Sequence, residues 1–275
     1  MFGDAILPRG GVLRLADLIT LLAGFGINDS QVRTALSRLT ADGWLHATRQ
    51  GRRSLYRLTE TGRHRVTEAT RRIYVGSRET AKGAWHVVIL PPDSATRHEL
   101  RKDLGWLGFG QLAPGILLHP APDTESLASV LSDLPASQRP LVIAGPAAFQ
   151  ATREMLHDLV AHCWDLGALA ASYDGFLRRF AALGATLAAG SKPPPLAALL
   201  ARIMLIHDYR RLILRDPMLP PRLLPGDWIG RAAYREAGTI YRRLARPAER
   251  WIDAHLHDAD GPLRRPDAGF SKRFR

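Results

Sequence analysis

Residues 28–43 constrain the fold of this chain more than any other segment, because they combine a helix start, an apolar stripe and a helix stop. Asn28, Asp29 and Ser30 each favour the start of a helix, where a side-chain oxygen accepts hydrogen bonds from free backbone N–H groups. Gly43 can end the helix. Between these signals, apolar residues recur at i, i+3, i+4 and i+7. The segment predicts a capped helix with one apolar stripe, formed by Val32, Ala35, Leu36 and Leu39.

The opposite face of this helix is polar and positively charged. At about 100° per residue, it carries small hydroxyl side chains and arginines, with neither Glu nor a bulky aliphatic residue. Such a face fits the major groove of duplex DNA, where Arg reads guanine edges and hydroxyls approach phosphates or bases. The residues that we predict to contact DNA here are Ser30, Arg33, Thr34 and Ser37, with Arg38 at the edge of the face.

A short basic hairpin follows the helix. Two strand-like runs, 45–49 and 54–58, flank a turn around Gly51. The turn carries Arg49, Arg52 and Arg53, whose charges repel one another unless an anion lies nearby. The DNA backbone or the minor groove is the natural partner for such a cluster. We therefore predict that these three arginines contact DNA as well.

The order of the predicted elements indicates a winged helix-turn-helix. A helix over 14–25 precedes the capped helix, and Thr59 can cap a further helix after the hairpin. Only residues 1–7 are available for the helix that normally comes first, so we expect either a stub or a start upstream of Met1. The alternative is a small α+β module that contacts protein; the coincidence of arginines on both the helix face and the hairpin favours DNA.

Charge is distributed unevenly along the 275 residues, whose formal net charge is +12. Residues 1–82 hold 14 Lys and Arg against 7 Asp and Glu, and residues 147–275 hold 20 against 13. Residues 83–146 hold 4 against 6. The basic first segment suits DNA, and the basic last segment suggests a phosphorylated or acidic ligand.

The chain has one cysteine, Cys163, so a disulfide within the chain is impossible, which fits the cytoplasm. We find neither an apolar run of 18 residues nor the layout of a signal peptide. We therefore expect a cytoplasmic protein that does not enter a membrane.

The remainder of the chain divides into a mixed part and a helical part. Strand-like runs at 84–90, 115–119 and 141–144 alternate with helical patterns, which predicts a small ferredoxin-like sandwich. From residue 147 the spacing is helical, and the polar tail from Asp258 is expected to be frayed. The overall prediction is an α+β chain with a winged helix-turn-helix at 1–76, a ferredoxin-like dimerisation or spacer domain at 77–146 and a helical effector-sensing domain at 147–275.

Several motifs resemble one known family over essentially the whole length. The matching stretches are Phe2-Gly3-Asp4, Val32-Arg33-Thr34-Ala35 with Arg38-Leu39, Gly43-Trp44-Leu45, Gly51-Arg52-Arg53-Ser54, Tyr56-Arg57-Leu58-Thr59, His207-Asp208-Tyr209-Arg210-Arg211, Arg215-Asp216-Pro217, Leu219-Pro220, Leu224-Pro225 and Asp227-Trp228. On these motifs the chain resembles the PaaX family of transcriptional repressors of phenylacetate catabolism. The proline-bearing loop is the most specific of them, and Ile229 departs from the Pro that we expect after Trp228.

This resemblance implies a function that composition and residue spacing alone do not indicate. It implies a homodimeric repressor that binds operator DNA and is released by an aryl-CoA thioester, phenylacetyl-CoA. Tyr56, which lies in one of the matched stretches, is also among the predicted DNA-binding residues. The weakly acidic middle segment is the part most available for pairing two protomers.

A second cluster suits a phosphorylated effector. Several arginines lie near aromatic residues and a stiff proline loop, and Arg can hold phosphate groups through two parallel hydrogen bonds. The aromatic rings can stack on an aryl or adenine ring. The alternative is that Asp208 and Asp216 pair with these arginines and that Trp228 anchors a core. The predicted effector-binding residues are His207, Tyr209, Arg210, Arg211, Arg215 and Trp228.

Other chemistry is weakly indicated, and we expect neither an enzyme nor a bound cofactor or metal. His157 and His162 are five residues apart, which does not align two metal ligands on one helix face. A nuclease built on the middle fold would place a carboxylate at the end of its first strand, but Asp93 comes only after two prolines. An architectural DNA-binding protein without a ligand is a third option. The basic pairs Arg264-Arg265 and Lys272-Arg273 are expected to be solvated.

Overall fold

The computed structural model describes residues 1–75, 84–92, 95–132, 134–146 and 152–275, which form an α+β structure with two antiparallel sheets. Contacts divide the chain into two compact units. The first unit comprises Met1–Gly76, Phe176–Arg211 and Ala232–Arg275, and the second comprises Ser77–Gly175 and Leu212–Arg231. Each of these units joins segments that are remote in sequence. The division into three consecutive domains therefore stays a prediction.

The first unit begins with short helical turns at Phe2–Ile6 and Leu7–Arg9, followed by a three-stranded sheet and three helices. The sheet has the order β1-β3-β2, and both pairs of neighbouring strands are antiparallel. Its first strand was not predicted, because three residues carry no readable periodicity. The elements are β1 (Val12–Arg14), α1 (Leu15–Ala23), α2 (Asp29–Ala41), β2 (Leu45–Gln50), β3 (Arg53–Leu58) and α3 (Glu60–Val75).

The predicted cap of the second helix is confirmed. The Asn28 side chain accepts a hydrogen bond from the Gln31 backbone N–H at 2.9 Å, and the Gln31 side chain accepts one from the Asn28 backbone N–H at 3.0 Å. Two otherwise free donors are satisfied reciprocally in this way. Thr59 likewise caps α3 through the Gly62 backbone N–H at 3.0 Å. Local hydrogen bonding therefore sets where both helices begin.

The apolar stripe of α2 is narrower than the spacing predicts. Val32 and Leu36 are buried, at 1% and 3% exposure. Ala35 is exposed, and Leu39 is 38% exposed. The prediction was wrong for Ala35 and Leu39, which are exposed positions of the stripe.

The second unit is built on a four-stranded antiparallel sheet with the order β5-β6-β4-β7. Its apolar core includes Val88, Leu104, Phe109 and Leu117. The structure adds one strand, β5, which the sequence analysis did not predict. The elements are β4 (Trp85–Ile89), α4 (Ala95–Trp106), β5 (Gly110–Ala113), β6 (Ile116–His119), α5 (Thr124–Ser132), β7 (Leu141–Gly145) and α6 (Arg153–Cys163).

Three long helices complete the chain, as the helical spacing predicts, and each contributes residues to both units. They are α7 (Leu166–Ala188), α8 (Pro195–Ile213) and α9 (Ile229–His255). Between α8 and α9, the proline loop belongs to the second unit. There the His119 ring hydrogen-bonds to the Pro217 carbonyl oxygen at 2.8 Å, so this loop is held against β6.

A buried carboxylate lies at the centre of the first unit. Asp4 is 3% exposed and accepts hydrogen bonds from the hydroxyls of Tyr74 at 2.7 Å and Tyr241 at 2.9 Å. Arg273 donates to the same carboxylate oxygen at 3.0 Å. Arg202, which is fully buried, places its Nε 3.0 Å from the other oxygen. One side chain thus gathers partners from four separate parts of the chain.

The charge network extends from Arg202 to the surface. Arg202 donates to Glu249 at 2.6 Å. Glu249 also pairs with Arg9, which donates in turn to Asp253 at 2.8 Å. Arg9 is itself only 2% exposed. Opposite charges therefore alternate through the interior, which is the condition under which buried charges are tolerated.

The protonation state of each group in this network is set by burial and by the groups that it contacts. Burial by itself would raise the pKa of Asp4, but Arg202 and Arg273 outweigh burial and lower the pKa below its usual value. Burial would likewise lower the pKa of Arg202, yet Asp4 is the first of several groups that raise it. Burial raises the pKa of Tyr74 well above its ordinary value, and Asp4 adds to this. Asp4 is therefore ionised and both tyrosines act as donors.

The C-terminal tail is ordered, so the predictions of a frayed tail and a solvated Arg273 were wrong. Arg273 is 7% exposed and Phe274 is 4% exposed. The Phe274 backbone N–H donates to the Tyr74 carbonyl oxygen at 2.9 Å, and its ring packs edge-on against the Tyr74 ring at 5.2 Å. Arg273 binds the carboxylate of Asp4, which is 269 residues away in the sequence. No local sequence pattern indicates this partner.

We predict that Asp4→Asn destabilises the protein strongly. The amide keeps the shape of the carboxylate but leaves Arg202 and Arg273 without their shared negative charge. Removing one partner of a buried ion pair costs about 3–5 kcal/mol. Urea denaturation at neutral pH measures the loss. Asp42→Asn, the same change at an exposed position, is the matched control and should change the free energy of unfolding by less than about 0.5 kcal/mol.

The pH dependence has a definite sign. A carboxyl whose pKa is lowered by folding stabilises the native state above its unfolded pKa, about 3.9 for Asp, and loses that contribution as the pH falls through the lower folded value. The difference in stability between wild type and Asp4→Asn should therefore shrink below about pH 4. A difference that stays constant down to acid pH would show that the carboxylate charge is not what stabilises this core.

Candidate nucleic-acid interface

The outward face of α2 is exposed as the sequence predicts. Ser30, Arg33, Thr34, Ser37 and Arg38 are all exposed. The Thr34 hydroxyl donates to the Ser30 carbonyl oxygen at 2.9 Å, which keeps this side chain close to the helix backbone. The face is therefore low and open, with the two arginines as its longest side chains.

Arg33 has an ion-pair partner that the sequence reasoning missed. Its Nε lies 2.6 Å from Asp29 Oδ1, and a second hydrogen bond of 3.2 Å reaches Oδ2. The two side chains are 58% and 52% exposed, so water screens the pair and its stabilisation is below about 1 kcal/mol. The i, i+4 spacing was the available signal. Asp29 thus orients the guanidinium and can be exchanged for a stronger acceptor at little cost.

The hairpin carries its arginines at an exposed tip. Arg49, Arg52 and Arg53 are all exposed. Gly51 has φ +59°, a left-handed conformation that glycine adopts without strain, and its carbonyl oxygen accepts from Arg49 Nε at 3.2 Å. The backbone of this turn thus accepts a hydrogen bond from Arg49, and Arg52 and Arg53 are exposed beside it.

The second strand of the hairpin carries Tyr56, which was predicted to contact DNA, and Arg57, which was not. Tyr56 is half-buried and lies opposite Ala47 and Leu13 in the sheet. Arg57 is exposed and lies opposite His46. Because successive side chains of a strand alternate between its two faces and Leu58 is buried, the exposure of Arg57 could have been predicted. Tyr56 therefore belongs to the sheet as well as to the predicted interface, and Arg57 is a further cation on the hairpin.

The six predicted effector-binding residues are divided between the two units. His207, Tyr209, Arg210 and Arg211 lie on the part of α8 that belongs to the first unit. Arg215 and Trp228 belong to the second unit. The polar ones among them, His207, Arg210, Arg211 and Arg215, are exposed.

The two aromatic candidates are core side chains. Tyr209 is fully buried and packs against Phe176 and Phe274, with ring centroids 5.6 and 6.0 Å apart. Trp228 is 7% exposed and packs edge-on against Tyr173 at 6.2 Å. Neither ring presents a free face, and for Trp228 this matches the alternative of a core anchor.

The acidic residues beside the arginines have other partners. Asp208 accepts from Arg179 at 2.6 Å, and Asp216 accepts from the Tyr173 hydroxyl at 2.8 Å. Within the described ranges, no carboxylate lies at ion-pair distance from Arg210, Arg211 or Arg215. Partial burial, followed by the charge of Arg210, lowers the pKa of His207, so this ring is neutral at neutral pH. The positive charge on this part of α8 therefore comes from its arginines.

The weaker alternatives gain no support from geometry. Among the described residues, no group of three or more His, Cys, Asp or Glu side chains is placed to hold a metal ion. The His162 ring instead hydrogen-bonds to the Leu112 carbonyl oxygen at 3.2 Å. Burial raises the pKa of the Cys163 thiol, which makes it a poorer nucleophile. Asp93, on which the nuclease alternative turned, lies outside the described residues.

No helix in the described ranges is both long enough and apolar enough to cross a bilayer.

Comparison with known proteins gives matches along the chain. Three family models match: "PaaX-like protein" over residues 1–62, "PaaX protein central Cas2-like domain" over 78–156 and "PaaX-like protein C-terminal domain" over 164–254. The chain is 32% identical over 276 residues to "Transcriptional repressor PaaX" of Escherichia coli (strain K12), covering 100% of this chain and 87% of that protein.

A solved structure is also similar. It is that of the "Uncharacterized protein Rv0674 from Mycobacterium tuberculosis", with a TM-score of 0.50 and 27% sequence identity. The match covers 84% of this chain and 90% of the other.

Proposed function

This chain belongs to the PaaX-like family, and on that premise we propose that it is a transcriptional repressor that binds operator DNA and is released by an aryl-CoA thioester. The observation that carries the DNA-binding part is the coincidence of exposed arginines on the outward face of α2 and at the tip of the β2–β3 hairpin. Both elements belong to one compact unit, so their charges act together.

In this proposal the first 76 residues form a winged helix-turn-helix. The order β1-α1-α2-β2-β3-α3, with β3 between β1 and β2, is the arrangement expected of that motif. Helix α2 is then the recognition helix that enters the major groove, and the hairpin is the wing that contacts the backbone or the minor groove. Arg33 reads a base after exchanging Asp29 for a guanine edge.

The second unit supplies the dimer interface in this proposal. The strand order β5-β6-β4-β7 supports a ferredoxin-like sandwich for this unit, and the family model for this part describes a Cas2-like domain. One face of the sheet is apolar and exposed at its β4–β7 side: Leu141 is 60% exposed, Ile143 is 53% exposed and Ile89 is 37% exposed. Leu141 lies directly opposite Ile89 in the register, so these side chains form one patch. Exposed apolar patches of this kind mark interaction surfaces, and a second copy of this chain is the partner that we propose.

The effector part of the proposal depends on cations without carboxylate partners. Arg210 and Arg211 in the first unit and Arg215 in the second unit meet this criterion among the described residues. Arginine forks suit phosphate oxygens, and coenzyme A thioesters carry phosphates. The identity of the acyl group, phenylacetyl, comes from the family resemblance and not from these residues.

We predict that Arg33→Ala weakens operator binding by about 1–3 kcal/mol and relaxes specificity at one base position. The operator is first obtained by selecting bound sequences from a random DNA pool. Affinities for the selected and for random duplexes are then compared by titration. Arg101→Ala, an exposed arginine in the second unit, is the control. An equal loss on selected and random DNA would show that Arg33 contacts only phosphate.

We predict that the protein is a dimer in solution and that Ile143→Lys makes it monomeric. A charge at the centre of the apolar patch would have to be desolvated on association. Gln111→Lys places the same charge on β5, at the opposite edge of the sheet, and should leave the dimer intact. Sedimentation at micromolar concentration distinguishes the species. A wild-type monomer, or a dimeric Ile143→Lys variant, would contradict this interface.

We predict that phenylacetyl-CoA lowers operator affinity by a coupling of about 1–3 kcal/mol. Arg210→Ala and Arg215→Ala should bind the operator normally without ligand but respond less to it. Coenzyme A alone and the Arg264→Ala variant serve as controls, because Arg264 is exposed. If both arginine variants fold, bind DNA and release normally, the effector binds elsewhere. If wild type shows no response, the protein acts without this ligand, as an architectural protein would.

A further inference from the structure

Along most of its length, the exposed surface of α9 consists of arginine. Between Ala232 and Ile252, every exposed position of this helix is an arginine. We call these residues the α9 arginine face; they are Arg235, Arg242, Arg243, Arg246 and Arg250. An ordinary solvated helix face mixes charges of both signs, so uniform arginine over about four turns needs an explanation.

The five side chains share one side of the helix. At about 100° per residue they fall within an arc of about 100°. Arg235 and Arg250 are about 22 Å apart along the axis at 1.5 Å per residue. The face is therefore a continuous row and not a ring of charge around the helix.

The acidic residues of α9 do not neutralise this row. Glu249 is engaged by Arg9 and Arg202, and Asp253 is engaged by Arg9. Glu236 is half-buried and lines a groove of about 540 Å³ between α7 and α9. Within the part of the chain that the structure describes, none of Arg243, Arg246 and Arg250 has an ion-pair partner.

One member of the row is fixed in position. Arg242 donates to the carbonyl oxygen of Phe274 at 2.8 Å, and Phe274 is buried in the core of the first unit. The middle of the α9 arginine face is thus anchored to the ordered tail, which reduces the conformational entropy that binding would have to remove.

Charge in the whole molecule is concentrated in the same unit. The three segments of the first unit contain 28 Lys and Arg against 13 Asp and Glu, whereas those of the second contain 10 against 13. The basic residues of the last third of the chain therefore belong largely with the predicted DNA-binding segment. A field of this sign attracts polyanions and accelerates their association.

We propose that the α9 arginine face binds the phosphate backbone of duplex DNA, as a second contact that does not read sequence. This inference rests on the proposed DNA-binding function and extends it to a surface outside the winged helix. Each DNA strand presents a phosphate every 3.4 Å of helix axis, so a row of about 22 Å faces about six phosphates of one strand. The phosphates of a coenzyme A molecule lie close together at one end, which leaves most of this row unused.

The test compares the salt dependence of DNA binding among full-length variants. The variant Arg243→Gln/Arg246→Gln/Arg250→Gln removes three charges from the face. Arg264→Gln/Arg265→Gln/Lys272→Gln removes three charges from exposed positions in the same unit and is the matched control. Arg52→Gln/Arg53→Gln removes the proposed wing contacts. Each binds a random-sequence 40-base-pair duplex, and affinity is measured against salt concentration. Single Arg246→Gln is the second variant, and thermal melting checks that each protein is folded.

Each lost phosphate contact should lower the slope of log affinity against log salt by about 0.9. We expect the slope to fall by about 2 to 3 for the triple α9 variant and by about 1 for Arg246→Gln. The matched control should keep most of the wild-type slope. This result supports the α9 arginine face as a DNA contact, because overall charge is equal in the two triple variants.

Three results would overturn the inference. If the α9 variant matches the control while the wing variant loses slope, DNA binding stands but this face takes no part in it. If wild type does not bind the duplex, the proposed function fails as well. If the α9 variant keeps its slope but no longer responds to phenylacetyl-CoA, the face binds ligand phosphates and not DNA.

Discussion

The ionised carboxylate of Asp4 is the interaction on which the first unit depends. It lies in the interior, where an isolated charge is very costly, and it is stable there only because tyrosine hydroxyls and arginines surround it. Tyr74 comes from the end of α3, Arg202 from α8 and Arg273 from the tail. Since a half-satisfied buried network is worse than none, these segments must assemble together. The N-terminal and C-terminal parts of the chain thus form one cooperative unit.

This arrangement has a consequence for any switch. Arg202 and Arg210 lie on the same helix, about two turns apart, and Arg202 shares its carboxylate with Tyr74 at the end of α3. A ligand that displaced α8 would therefore either carry the Asp4 network with it or break it. Breaking it costs several kcal/mol by the magnitude for a buried pair, about as much as or more than a typical allosteric coupling. A rigid shift that preserves the network is the less costly response.

The features predicted from sequence are those fixed by short-range contacts. The Asn28 and Thr59 caps involve partners three residues away, and the hairpin follows from alternation around Gly51. What sequence missed depends on distant partners. β1 and β5 exist because of the strands beside them, and Arg273 appeared solvated because its carboxylate is 269 residues away. At the candidate sites, exposure of the arginines was predictable from helical periodicity, whereas burial of Tyr209 and Trp228 was a property of tertiary packing.

Charge grouped by position in space differs from charge grouped along the sequence. Residues 147–275 are basic, and taken as a separate domain they call for an anionic ligand of their own. In the folded chain, most of that charge joins the segment that carries α2 and the hairpin. An electrostatic field depends on position in space and not on position in the sequence. The five arginines on α9 therefore belong to the same compact unit as Arg33 and the hairpin tip, and they add to the net positive charge of that unit.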